Sequence, residues 1–238
     1  MRSIKILDKI KLELKRLAKN PRNIKDYSRF HKDRKTHVGI ATPLVRKLSS
    51  KYFKEVKNIN KKQIFSLCEK LLEINDSGCQ DIAFDWAFRI KKQYQKEDFK
   101  IYESWLKSYV TTWGSCDDLC THAFGSLVFQ FPKLLPRTKR WAKSSNKWFR
   151  RASAVVLIYS LRKGKYLQET IGVANLLLQD NEDLVQKGYG WMLKEASKQF
   201  RDEVFAYVMK KRFIMPRVAL RYAIEKLPKK MKRKALSG

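Results

Sequence analysis

Apolar residues recur at intervals of three and four along almost the whole chain, and this spacing constrains the fold more than any other feature. In the first segment the apolar positions that share one face are Ile4, Leu7, Ile10, Leu14 and Leu17. Such a face is typical of an amphipathic α-helix. With only 9 Gly and 6 Pro, the chain offers few residues for β-turns or hairpins. The sequence therefore predicts an all-α fold.

The same spacing continues to the end of the chain. It predicts further helices over residues 59–74, 79–94, 98–110, 115–131, 134–142, 148–161, 167–178, 184–200, 203–211 and 216–227. Thr42 before Pro43 is expected to cap another helix, and Ser115 with Asp118 forms a capping-box pattern. Helix pairs repeat about every 35 to 40 residues, which favours a HEAT-like solenoid of stacked antiparallel pairs. A compact helical bundle is the competing architecture.

The chain is strongly basic, with 53 Lys and Arg against 23 Asp and Glu and a formal net charge of +30. Such an excess opposes compaction unless the cations meet a polyanion, and nucleic acid is the leading partner. A solubilising lysine coat is the alternative, and an anionic membrane is less favoured. The basic residues are spread throughout the chain, so we expect a solenoid whose concave face is basic.

Domain organisation, location and metal content also follow from the sequence. We expect one folded domain over residues 1–228 and a basic, flexible tail over 229–238. No apolar run approaches the roughly 18 residues of a membrane span, so we expect a cytoplasmic protein, nucleoid-associated in a bacterium or nuclear in a eukaryote. Cys116, Cys120 and His122 lack further ligands at a familiar spacing, so neither a metal nor a cofactor is expected.

Three stretches occur in the order and spacing of a known family. They are Tyr27 with Gly39-Ile40-Ala41-Thr42-Pro43, then Trp113-Gly114-Ser115-Cys116-Asp117, then Gln186-Lys187-Gly188-Tyr189-Gly190-Trp191-Met192-Leu193-Lys194-Glu195. With these motifs the chain resembles the AlkD-like DNA glycosylases, a HEAT-like repeat family of DNA alkylation repair. The resemblance covers nearly the whole chain.

The resemblance implies a glycosylase that hydrolyses the glycosidic bond of 3-methyladenine or 7-methylguanine in duplex DNA. We expect it to be monofunctional, because no lysine can be placed at C1′ as a nucleophile, and monomeric, because DNA binding of this type needs no two-fold symmetry. It implies catalytic roles for Trp113, Asp117 and Trp191. The tryptophan faces would attract a cationic sugar or base. Asp117 would stabilise positive charge at C1′ and orient or deprotonate the attacking water. The alternative roles are core packing for the tryptophans and a helix-dipole contact for Asp117.

The resemblance also implies DNA contacts. The residues expected to make them are Tyr27, Arg150, Arg151, Lys187, Lys194 and Arg221. Arg150 and Arg151 point about 100° apart on a helix, and the family pattern favours Arg151 as the one that faces DNA. Lys194 departs from the pattern, because the family commonly has Arg there. Two other functions stay open: a non-catalytic binder of branched or damaged DNA, and an adaptor or RNA-binding repeat protein.

Overall fold

The computed structural model describes residues 2–26 and 38–237. Helices account for 76% of the chain, which confirms the all-α helical-repeat class. The chain divides into two compact units, Met1–Gln93 and Tyr94–Gly238. A single domain over 1–228 and a basic concave face stay predictions. Within the described ranges, no helix combines the length and the apolar character needed to cross a membrane.

The described residues of the first unit form four α-helices and one short two-stranded ribbon. Its elements are α1 (Arg2–Ala18), a 3-10 turn (Pro21–Asn23), β1 (Ile24–Asp26), β2 (Val38–Ile40), α2 (Thr42–Val56), α3 (Lys61–Glu73), α4 (Ser77–Arg89) and a second 3-10 turn (Lys91–Gln93). The strands are antiparallel, with Ile24 opposite Ile40. The sequence did not predict this ribbon, because three-residue strands are too short for alternation to be visible.

The predicted cap of α2 is wrong by one residue. Ala41 is the N-cap, Thr42 begins the helix, and no side chain caps it. Pro43 fits inside the first turn because the N–H groups there have no acceptor within the helix. The buried face of the unit is completed by Ile10, Ile64, Ile82 and Trp86.

The second unit contains the remaining helices. They are α5 (Phe99–Ser108), α6 (Trp113–Leu119), α7 (Gly125–Gln130), α8 (Leu135–Arg140), α9 (Lys147–Val155), α10 (Ile158–Leu161), α11 (Leu167–Leu177), α12 (Asp183–Ala196), α13 (Arg201–Lys211), α14 (Arg217–Ala223) and α15 (Lys229–Leu236). Short 3-10 turns occupy Lys96–Asp98, Pro132–Leu134 and Trp141–Lys143, and a π-helical segment, Cys120–Phe124, joins α6 to α7.

Helix α12 is central to this unit, because it packs against α9, α11 and α14. Aromatic side chains fill much of the core, among them Tyr102, Trp105, Phe124 and Tyr189. Residues expected to form a flexible tail are helical as α15, with Ala235 buried. The flexibility of the tail stays a prediction.

The start of α6 differs from the sequence prediction, and the difference matters for the site. The capping box is Thr112 with Ser115, not Ser115 with Asp118. Thr112 Oγ1 accepts a hydrogen bond from the Ser115 amide at 3.2 Å. This bond satisfies an N–H group that has no acceptor within the helix, and the cap therefore lies three residues before the predicted one. Trp113 is therefore the first residue of the helix. Asp117 follows one turn later on the same face.

Candidate functional site

Asp117 is held by a two-point ion pair with Arg151. Arg151 Nε donates to Asp117 Oδ1 at 2.9 Å, and Nη2 donates to Oδ2 at 2.8 Å. The arginine side chain is 5% exposed, whereas the aspartate side chain is 15% exposed. Parallel bonds of this kind fix both the position and the plane of the carboxylate. Asp117 therefore has a set orientation, and its side chain stays partly exposed to solvent.

Arg151 is itself enclosed by α12. Its Nη1 donates to the backbone carbonyl of Leu184. Gly188 packs directly on the arginine, since a Cβ added there would lie 3.1 Å from Arg151 Cγ and 3.2 Å from Nη1. A larger residue would force the arginine side chain to shift by a few tenths of an ångström. Arg151 thus joins α6, α9 and α12 at one point.

The electrostatics of the pair follow from burial and proximity. Burial raises the pKa of the Asp117 carboxyl, and the charge of Arg151 works against that rise. Burial also opposes the charge of Arg151, but Asp117 outweighs it and raises the arginine pKa above its ordinary value. Each carboxylate oxygen has more than one lone pair, so Asp117 can accept further hydrogen bonds while bound to Arg151.

The two tryptophans lie on the helices that meet at Arg151. Trp113 is half-buried, one turn before Asp117 on α6. Trp191 is also half-buried and follows Gly188 by three residues on α12. Residues three or four apart share a helix face. Each tryptophan therefore shares a face with one of the residues that surround the guanidinium.

Trp191 is oriented by a carboxylate on its own helix. Its Nε1 donates to Glu195 Oε1 at 3.3 Å. Glu195 also accepts from Lys198 at 2.8 Å and from Arg162 at 3.1 Å. Burial opposes the charge of Glu195, but the hydrogen bonds from Lys198 and Arg162 lower its pKa below the ordinary value. Glu195 is therefore an anion that fixes the indole, a role that sequence reasoning did not find.

Four of the cations expected to contact DNA are paired with acids. Arg151 binds Asp117, Arg150 Nε binds Asp180 Oδ2 at 2.6 Å, Lys187 Nζ binds Asp183 Oδ2 at 2.7 Å, and Lys194 Nζ binds Glu225 Oε2 at 3.0 Å. Arg221 is exposed and forms no ion pair with the described residues. Tyr27 lies outside the described residues. DNA contact at these six positions stays a prediction.

Two partners in this network carry no signal in the sequence. Asp180 is thirty residues from Arg150, and no spacing rule links an acid at that separation to it. Leu184 contributes a backbone carbonyl, which any residue would supply. Gly188 stands inside the motif, but its packing on Arg151 is visible only in the fold.

The cysteines near Asp117 are buried thiols. Cys116 and Cys120 are both inaccessible, and burial raises the pKa of the Cys120 thiol well above its ordinary value. A protonated thiol is a poor metal ligand. In the part of the chain that the structure describes, no three His, Cys, Asp or Glu side chains are grouped so that they could hold a metal ion.

The fold is similar to that of known proteins. A predicted DNA alkylation repair enzyme from Enterococcus faecalis has the same fold, with a TM-score of 0.71, 22% identity, and coverage of 80% of this chain and 88% of that chain. The smu.31 protein of Streptococcus mutans UA159 is similar at a TM-score of 0.58, with 19% identity and coverage of 79% and 99%. No curated protein matches significantly. The model of the DNA alkylation repair enzyme family matches residues 10–227, and the chain belongs to that family.

Proposed function

We propose that this protein is a monofunctional DNA glycosylase that hydrolyses the N-glycosidic bond of cationic alkylated purines, such as 3-methyladenine and 7-methylguanine, in duplex DNA. Membership of the family supports a role in the repair of alkylated DNA. One observation carries the finer proposal. The carboxylate of Asp117 is fixed at both oxygens by a buried arginine, and the aspartate side chain is still partly exposed to solvent.

The chemistry of a cationic lesion explains why so small a site suffices. Alkylation at N3 of adenine or N7 of guanine makes the base a good leaving group, so the glycosidic bond is already weak. The enzyme then has to stabilise an oxocarbenium-like sugar and place one water. Preorganised charge and two aromatic faces, worth about 0.5 to 2 kcal/mol each, supply on the order of a thousandfold acceleration. That is enough only for an activated substrate.

The ion pair refines the role of Asp117. Burial raises the pKa of the Asp117 carboxyl, but the charge of Arg151 opposes that rise and favours the carboxylate form. Asp117 is therefore expected to act through its negative charge at C1′ and by orienting water, more than by removing a proton. In this scheme Arg151 is a positioning residue, which sets the plane of Asp117 through its bonds to both oxygens.

DNA binding is compatible with the paired lysines. Ion pairs near a protein surface contribute only about 0 to 1 kcal/mol, so phosphate groups can replace the acids. Glu225, the partner of Lys194, is itself about half exposed. We propose that Lys187 and Lys194 exchange their acids for phosphates when DNA binds. Arg221 needs no such exchange.

One observation favours a second candidate function, a non-catalytic DNA-binding protein. An aspartate whose two oxygens are both bound by a buried arginine is also the arrangement of a purely structural ion pair. On this alternative the pair holds α6 against α9, and the protein binds branched or damaged DNA without cutting a bond.

Single-turnover base release separates the two functions. The protein is mixed in excess with duplex DNA carrying one 7-methylguanine, and free base and abasic sites are measured over time. A matched duplex carries hypoxanthine, a neutral base. The proposal predicts release of 7-methylguanine with an intact abasic strand, and little release of hypoxanthine. A DNA complex in a gel with no release of either base favours the binding protein, and efficient release of hypoxanthine contradicts the proposed mechanism.

A further inference from the structure

The C-terminal part of the second unit concentrates positive charge beyond the Asp117–Arg151 ion pair. Residues 204–237 contain eleven Lys and Arg against a single acid, Glu225. That acid is engaged with Lys194 and Lys226. Charge of this density on folded helices matches the phosphate backbone of a nucleic acid.

An aromatic ring projects from the same region. Phe213, in the turn after α13, is 72% exposed, and the neighbouring Ile214 is also exposed. The guanidinium of Arg212 lies over the Phe213 ring, 4.5 Å from its centroid. One face of the ring is therefore covered by a cation, and the other face is the one that a ligand can reach.

Helix α15 is fastened beside this turn. Arg212 Nη1 donates to the Lys234 carbonyl at 2.9 Å, and α15 packs against α13 with Ala235 buried. The cations that α15 exposes are Lys229, Lys230, Arg233 and Lys234. The arginine that covers the ring thus also joins the ring to a basic helix.

We infer that Phe213 and α15 form a second nucleic-acid site, in which an unpaired DNA base stacks on the free face of Phe213 and the α15 cations bind the adjoining phosphates. Aromatic rings on basic surfaces bind single strands in this way, because every base has a π-face. If Phe213 inserted between two stacked bases, both faces of its ring would have to contact a base. Since Arg212 occupies one, Phe213 caps a single unstacked base. The inference rests on DNA as the partner and is independent of base release.

The test uses undamaged DNA. A 12-nucleotide single strand with a central 2-aminopurine reports binding by anisotropy and stacking by loss of 2-aminopurine fluorescence, and closed circular duplex DNA is the comparison ligand. We expect Phe213→Ala to weaken single-strand binding by at least about fivefold and to remove the quenching. Phe213→Tyr should retain both. Leu12→Ala, at a side chain that is 70% exposed in the first unit, should change neither.

Several results would overturn the inference. Phe213→Ala that binds and quenches as wild type excludes stacking on the ring. An equal loss for single strand and closed duplex shows that the ring does not select an unpaired base. Light scattering that shows wild-type dimers and Phe213→Ala monomers assigns the surface to a second copy of the chain. Because the probe carries no lesion, the binding test does not depend on glycosylase activity. A failure of base release would not contradict the second nucleic-acid site, and a failure of that site would not contradict base release.

Discussion

Arg150 and Arg151 are adjacent on α9, and the sequence does not distinguish their roles. In the structure they form two different ion pairs. Arg150 binds Asp180 and Arg151 binds Asp117, each through two guanidinium nitrogens. In the first pair the carboxylate is the more buried partner, at 8% exposure against 18% for its arginine. In the second pair this order is reversed.

The remaining contacts explain the difference. Arg150 also donates to the carbonyls of Ser144 and Ser145, and Asp180 accepts from the Glu182 amide at 2.9 Å. That pair closes the backbone turns that precede α9 and α12. Arg151 instead binds an aspartate, Asp117, that is more exposed than the arginine itself. We propose that the Arg150 pair is structural and that the Arg151 pair presents a working group.

Removal of either arginine gives the largest expected effect on stability. Arg151→Met leaves the largely enclosed Asp117 without its counter-ion, so the free energy of unfolding should fall by about 3 to 5 kcal/mol. Arg150→Met should cost less, because the Glu182 amide still donates to Asp180. Urea unfolding of both variants beside wild type measures the difference, with the m-value as a check on two-state behaviour. Equal losses would remove the distinction between the pairs.

A methyl group at Gly188 should disturb the Arg151–Asp117 pair and leave the Arg150–Asp180 pair unchanged. Gly188→Ala should lower the free energy of unfolding by about 1 to 3 kcal/mol, because the new Cβ would lie 3.1 Å from Arg151 Cγ. Gly114→Ala is the matched control, since its Cβ would meet Thr112 Oγ1 at an ordinary 3.9 Å. Alanine is the better helix former, so the control should be neutral or stabilised by less than about 1 kcal/mol. A Gly188→Ala variant as stable as wild type would contradict the enclosed geometry of Arg151.

Arg221, which forms no ion pair with the described residues, sharpens the comparison on the DNA side. Arg221→Gln should reduce the slope of log affinity against log salt by about 1, because a free guanidinium neutralises a phosphate directly. Lys194→Gln should reduce the slope by less, since Lys194 must first leave Glu225. Titration of an undamaged duplex at several salt concentrations gives both slopes. If neither variant changes the slope, this end of the second unit does not bind the DNA backbone.

The sequence predicted the helices better than it predicted the site. Periodicity located α3 within two residues at its start, where Asn60 and Gln63 form a capping box. It misplaced the start of α6, because Thr112 and Ser115 satisfy the same capping rule as Ser115 and Asp118. Local patterns of this kind depend on residues within one turn, so the sequence shows them directly.

The ion pairs depend on residues about thirty positions apart. Helical spacing shows that Arg150 and Arg151 diverge by about 100°, but it does not show which acid each one meets. We expected one of the two to face DNA, and the structure places both in ion pairs. The family motif predicted Asp117 as a site residue. The role of Asp180 is visible only in the structure, where it pairs with Arg150.

The most direct test compares the two aspartates. Asp117→Asn and Asp180→Asn are each measured for single-turnover release of 7-methylguanine, with DNA affinity and folded fraction determined for both. If the charge of Asp117 stabilises the reacting sugar, Asp117→Asn should bind DNA but release the base about 100- to 1000-fold more slowly. The release rate of Asp180→Asn should stay within a few-fold of the wild-type rate. Equal losses in the two variants, or a wild-type rate for Asp117→Asn, would contradict this role of Asp117.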